Sequence, residues 1–142
     1  MLLALALAVS VVTDLRSRLI YNWVTLPALA LELLLIGLAA GPDALVNAGV
    51  GILICAGPLA LGSLVNAIGM GDVKLIAVAG AVAGAAAGWP FALRVLTDIA
   101  IAGGLQVAAQ WAYAAARKRE RPKAVPYAVA IAGGTLAAWV LG

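Results

Sequence analysis

The chain has 142 residues, 65% of them hydrophobic and only 11% charged, with a formal net charge of +3. A soluble globular domain is usually about 45–50% apolar and about 25% charged, so this composition excludes one and indicates an integral membrane protein with a single domain, residues 1–142. There is no His and one cysteine, Cys55, which excludes an internal disulfide, a Ser-His-Asp triad and His-based general base chemistry and argues against a Cys/His metal site.

Met1 to Thr13 is almost entirely Leu, Ala and Val. It lacks the basic start of a signal peptide and leads into further membrane-type sequence, so a spanning helix is the better reading. The uncharged stretch rises only about 20 Å against a hydrocarbon core of about 30 Å. The helix is therefore expected to continue past Asp14 and to hold that acid near one membrane face. A charge cluster, Asp14-Leu15-Arg16-Ser17-Arg18, leads through Ile20-Tyr21-Asn22 to the second apolar run, Trp23 to Ala40, which contains Pro27 and Glu32. Gly41-Pro42-Asp43 is a turn.

Ala44 to Ile68 spans next, its glycines suited to close helix packing and its Gly57-Pro58 pair to a kink. The stretch Ile68-Gly69-Met70-Gly71-Asp72-Val73-Lys74-Leu75 follows, then an apolar run to Ala87, a break at Gly88-Trp89-Pro90, and a fifth run from Arg94 to Ala116. A second cluster, Arg117-Lys118-Arg119-Glu120-Arg121-Pro122-Lys123, precedes the last run, Ala124 to Gly142.

The expectation is an all-α bundle of six transmembrane helices. Alternating topology puts the connections at 14–22, 69–72 and 117–123 on one side, with Arg16, Arg18, Lys74 and the 117–123 basic residues. The other side receives both termini and only Arg94. The positive-inside rule makes the first side cytoplasmic and both termini external, in a multi-pass plasma-membrane protein. Asp14 and Asp72 then fall at the cytoplasmic ends of helices.

Two carboxylates that approach each other do not both ionise easily, so one keeps a proton. One can then activate a water while the other donates to a carbonyl oxygen. Each acid also has a purely structural reading. Asp72 suits a turn followed by a helix N-cap, and Asp14 suits an i,i+4 pair with Arg18.

Two motifs carry a family resemblance over essentially the whole chain. Gly69-Met70-Gly71-Asp72-Val73-Lys74-Leu75 resembles the GxGDxKL signature of the type IV prepilin peptidases, membrane aspartic peptidases that include archaeal preflagellin peptidases. Asp14-Leu15-Arg16, followed by Ile20-Tyr21-Asn22, resembles that family's first motif, with Tyr21 in place of the usual Pro. Val125-Pro126-Tyr127-Ala128 resembles its late motif, with Ala128 and Val129 in place of Gly-Pro. Pro126 and Tyr127 are carried over only as packing or scaffold residues.

The resemblance implies an aspartic endopeptidase that removes the short basic leader from pilin-like precursors at the cytoplasmic membrane surface. Asp14 and Asp72 would be the catalytic pair. Gly69, Gly71, Lys74, Arg16 and Asn22 would be motif or substrate-approach residues. Gly69 and Gly71 are expected to allow backbone conformations closed to other residues, and Lys74, in the first helical turn, to snorkel to the membrane surface. The implied partners are pilin-like precursors and membrane lipid; no metal, cofactor or nucleic acid is expected. The chain has no insertion with paired Cys-x-x-Cys motifs. It resembles the short peptidase-only type of tight-adherence or archaeal systems, without N-methyltransferase activity.

Other residues have structural readings. Glu32 is mid-span and is expected to make a structural hydrogen bond more than to act in catalysis. Arg94 and Asp98 form an i,i+4 pair. Asn47, Asn66 and Gln106 are interhelical hydrogen bonders. Cys55 packs, and Trp and Tyr form an interfacial belt. Pro27-Ala28-Leu29 spells the PAL motif of presenilin-like proteases, but precedes the GxGD stretch where that motif would follow it. The rival from another class is a non-enzymatic membrane subunit or a proton- or cation-coupled transporter component, for which mid-membrane acids would be expected.

Overall fold

The computed structural model describes residues 2–17, 22–64, 69–117 and 127–141. Arg18, Ile20, Tyr21, Asn66, Pro126 and the 118–123 cluster lie outside the described residues. The fold is all-helical: α1 Leu2–Ser17, α2 Asn22–Ala40, α3 Pro42–Leu64, α4 Met70–Ala116 and α5 Tyr127–Leu141. By length and composition, α2, α3 and α4 are each able to cross a membrane, and α5 is a shorter apolar helix.

The turn residues act as their chemistry requires. Gly41 has φ 85°, a left-handed conformation that favours glycine, and ends α2. Pro42 opens α3, where its missing amide would have had no helical partner in any case. Asp43 places a negative charge in the first turn, at the positive end of the helix dipole.

Among the described residues five helices stand where six were expected, and the difference lies at the 88–90 break, where two helical stretches join as α4. A straight helix of 47 residues would be about 70 Å long, more than twice the hydrocarbon thickness. Instead, Ala87 (φ −146°, ψ 18°) and Gly88 (φ 74°, ψ −169°) leave the helical region and divide α4 into arms 70–86 and 89–116. Cys55 of α3 touches both arms. A Cβ at Gly80 would sit 2.8 Å from the Cys55 Cβ, and the Cys55 thiol donates to the Ala92 carbonyl at 3.2 Å. Gly80 and Ala92 thus lie at one level, and α4 is folded back as a helical hairpin. By contrast, α3 runs continuously through Pro58.

The hairpin fixes the order of the bundle. Gly51 and Asn47 of α3 meet Gly80 and Gly84 of the first arm backbone to backbone, and those helices run antiparallel. The second arm runs antiparallel to α5, with Arg94 on the Leu141 carbonyl at 2.8 Å, the Phe91 and Trp139 rings 5.0 Å apart, and Ile99 against Gly134. The packed interior is small: Ala and Gly predominate, with Leu75, Ile76, Val78, Val95, Ile99 and Ile131 fully buried. The outer surface carries the bulk, with Leu38, Leu53, Leu61, Leu105, Leu136 and Val140 all exposed. Burial by water alone would not leave so much Leu outside; lipid is the matching solvent.

Two secondary expectations are met: Arg94 and Asp98 pair at 3.8 Å, and Cys55 is fully buried. All four Trp are exposed. Asn47 differs: its backbone abuts Gly84 and its side chain is exposed. Glu32 makes a structural bond, its Oε1 accepting from the Leu3 amide at 2.8 Å. That amide is one of the four at the start of α1 with no helical partner. Glu32→Leu should therefore lower stability by about 1 kcal/mol, whereas Glu32→Gln keeps the acceptor and should be near neutral; thermal unfolding in detergent checks both.

Candidate active site

Asp14 occupies the last turn of α1 and is 7% exposed. A carboxylate there faces the negative end of its own helix dipole. Its compensation comes from another helix: Oδ2 accepts from the Ala128 amide at 3.0 Å. Ala128 is the second residue of α5, so its amide has no partner within that helix and lies at the positive end of the α5 dipole. The start of α5 thus binds the end of α1. The structural alternative for Asp14, a pair with Arg18, lies outside the described residues.

Asp72 is the third residue of α4, and the helix begins earlier than the apolar run suggested. Gly69 is the N-cap, with no side-chain cap, and its carbonyl accepts from the amides of Asp72 (3.0 Å) and Val73 (3.3 Å). The Asp72 carboxylate reaches back to accept from the Gly69 amide, which is one half of a capping box. Asp72 is therefore not the N-cap but the residue that satisfies the N-cap's amide.

The reason for glycine at position 69 also differs from expectation. Its φ of −69° and ψ of 137° are open to any residue. A Cβ there would instead lie 3.1 Å from Asp72 Oδ2, so the missing side chain lets the carboxylate fold back. Gly71 is within the helix and has no positive φ.

The two acids come from distant parts of the chain to one end of the bundle: the Asp14 carboxylate is bonded at the start of α5, its charge acts on Asp72, and the Asp72 charge acts on Tyr127. Three elements, α1, α4 and α5, each bring one polar group.

Lys74 is the fifth residue of α4 and does not simply snorkel. Its Nζ donates to Asn22 Oδ1 at 2.8 Å and ties α4 to the start of α2. Two motif residues thereby clasp each other beside Asp72. Arg16 is exposed in the last turn of α1, where a cation suits the dipole. Among the described residues no group of three His, Cys, Asp or Glu could hold a metal ion.

Residues 1–141 match the model of the type IV leader peptidase family. The chain belongs to that family. Neither the curated proteins nor the solved structures give a significant match. The contribution that sequence reasoning missed is the Ala128 amide. Its only signal was the late motif, whose Tyr127-Ala128 step opens α5.

Proposed function

We propose that the protein is a membrane aspartic endopeptidase that removes the short basic leader from type IV pilin-like precursors at the cytoplasmic face of the plasma membrane. The reading is supported by the match to the leader peptidase family together with Asp14 and Asp72 at one end of the bundle, where the Asp14 charge acts on Asp72. Counting the arms of α4 separately gives six crossings, both termini external, with the basic connections at 14–22, 69–72 and 117–123 inside.

Two carboxylates close together resist ionising at once, so in this reading one acid enters the reaction protonated and the other ionised. The ionised acid removes a proton from a water held between them, and the oxygen adds to the scissile carbonyl carbon. The protonated acid gives its proton to the carbonyl oxygen. Collapse of the tetrahedral species breaks the C–N bond: the proton taken from water passes to the leaving nitrogen, and a hydroxyl proton of the tetrahedral carbon returns to the acid that gave its own, restoring the pair. The products are the leader's new carboxylate and a new amine at the start of the hydrophobic segment. The amides of Ala128 and Gly69 hold the acids in place. The Lys74–Asn22 clasp keeps the start of α2 beside the site. No methyl transfer is assigned to this chain.

The test is incubation of the purified, detergent-solubilised protein with a pilin-like precursor, followed by mass spectrometry. Release of the intact leader with cleavage just before the hydrophobic segment supports the reading. An unchanged precursor contradicts it and favours a non-enzymatic or transport role.

A further inference from the structure

Ala128 can bind Asp14 only if the first turn of α5 is held in one orientation. That turn makes no amide hydrogen bonds within its own helix, so its orientation depends on what its side chains pack against. The contact is made by Tyr127, the first residue of α5. Its ring edge lies in a notch on the second arm of α4, at Gly103. A Cβ built on Gly103 would come 2.7 Å from Tyr127 Cε2 and Oη and 2.9 Å from Cζ, closer than real Cβ atoms approach. Gly104, next in sequence, has open space around it, so a Cβ at 103 and not at 104 would push the Tyr127 ring out of this notch. One turn earlier, Ile99 is against the Gly134 backbone, so the arm and α5 cannot slide apart to make room without breaking that contact.

We propose that Gly103 is a positioning residue for Asp14: it seats the Tyr127 ring, and the seated ring aims the Ala128 amide at the Asp14 carboxylate. The inference rests on the reading of Asp14 as half of the catalytic pair and adds to it a residue outside every motif. The ring carbons do the seating, so Tyr127→Phe keeps the arrangement and Tyr127→Ala does not.

The experiment uses the full chain in detergent, with two readouts. The first is kcat and KM on a pilin-like precursor. The second is the Ala128 amide by NMR. Labelling tyrosine carbonyl carbon and alanine nitrogen leaves two visible amides, because Tyr-Ala occurs only at 113–114 and 127–128. Asp14→Ala removes the acceptor and marks the shift that loss of the bond produces. Gly103→Ala should reproduce that shift at Ala128, leave Ala114 in place, and lower kcat about 10- to 100-fold with little change in KM. Adding Tyr127→Leu to Gly103→Ala should recover most of the lost kcat.

A Gly103→Ala protein with a wild-type Ala128 amide, or with wild-type kcat, overturns the proposal. If that variant does not fold, Tyr127→Phe and Tyr127→Ala decide: equal activity overturns it, and loss in Tyr127→Ala alone supports it. A wild-type chain that cleaves nothing overturns the peptidase reading instead, and the Ala128 amide then decides the Gly103 contact by itself.

Discussion

Asp14→Asn and Asp72→Asn each lower the rate of precursor cleavage by about 10³-fold or more while leaving the helical circular dichroism unchanged. The magnitude follows from the roles proposed for the two acids. Neither acid can do the other's step, and an amide neither takes a proton from water nor gives one to a carbonyl oxygen. The fold survives because the surrounding donors remain satisfied. Asn at 14 still offers an oxygen to the Ala128 amide, and Asn at 72 still offers one to the Gly69 amide. Substitution by Ala lacks that property and also loosens the start of α5 or α4. The Asn variants therefore separate chemistry from structure. Initial rates by mass spectrometry, with unfolding temperatures recorded in parallel, check both halves of the expectation.

Gly84→Val has the second largest expected effect, this time on stability. The added side chain would enter the Asn47 carbonyl and come 3.0 Å from the Gly51 Cα. Those are backbone atoms of a continuous helix and cannot rotate away. Overpacking of a core commonly costs about 1–3 kcal/mol, and a backbone obstacle places this site at the upper end or beyond it. Gly49→Ala is the control. Its neighbourhood is open, so it should be neutral or stabilising by up to about 1 kcal/mol, as expected for Gly to Ala inside a helix. Unfolding in a detergent–denaturant titration should separate the two by several kcal/mol. Because Gly84 and Gly51 hold α3 against the first arm of α4, the arm that begins with Asp72, Gly84→Val should also reduce cleavage.

Much of the fold was legible because membranes restrict it so severely. Long apolar runs had to be helices, and Gly41-Pro42-Asp43 and Gly88-Trp89-Pro90 were the places where they could turn. The 88–90 signal marked the break between the two arms of α4: Ala87 and Gly88 leave the helical region, and Trp89 and Pro90 already belong to the second arm. Asp14 and Asp72 stood out because acids are costly beside lipid and therefore rare in such a chain. Their neighbours were harder to see. The helices are apolar on nearly every side, so periodicity does not say which face meets which helix. Asn22 and Lys74 each belonged to a motif, yet nothing in sequence joined them to each other. Ala128 contributes a backbone amide, which has no sequence signature at all. Gly103 and Gly104 are indistinguishable in the sequence, and only the fold shows that one faces a tyrosine and the other open space. Gly69 and Asp72 carry a different lesson. The glycine was expected to supply backbone freedom, whereas it supplies room for a carboxylate.

The claim that Asp14 and Asp72 work as one unit is tested most directly by a double-mutant cycle under single-turnover conditions, with enzyme in excess over precursor. Groups that act together lose nearly everything when either is removed. The account predicts that the Asp14→Asn/Asp72→Asn protein cleaves no more slowly than either single variant. Losses that multiply, or substantial cleavage by either single variant, would contradict it.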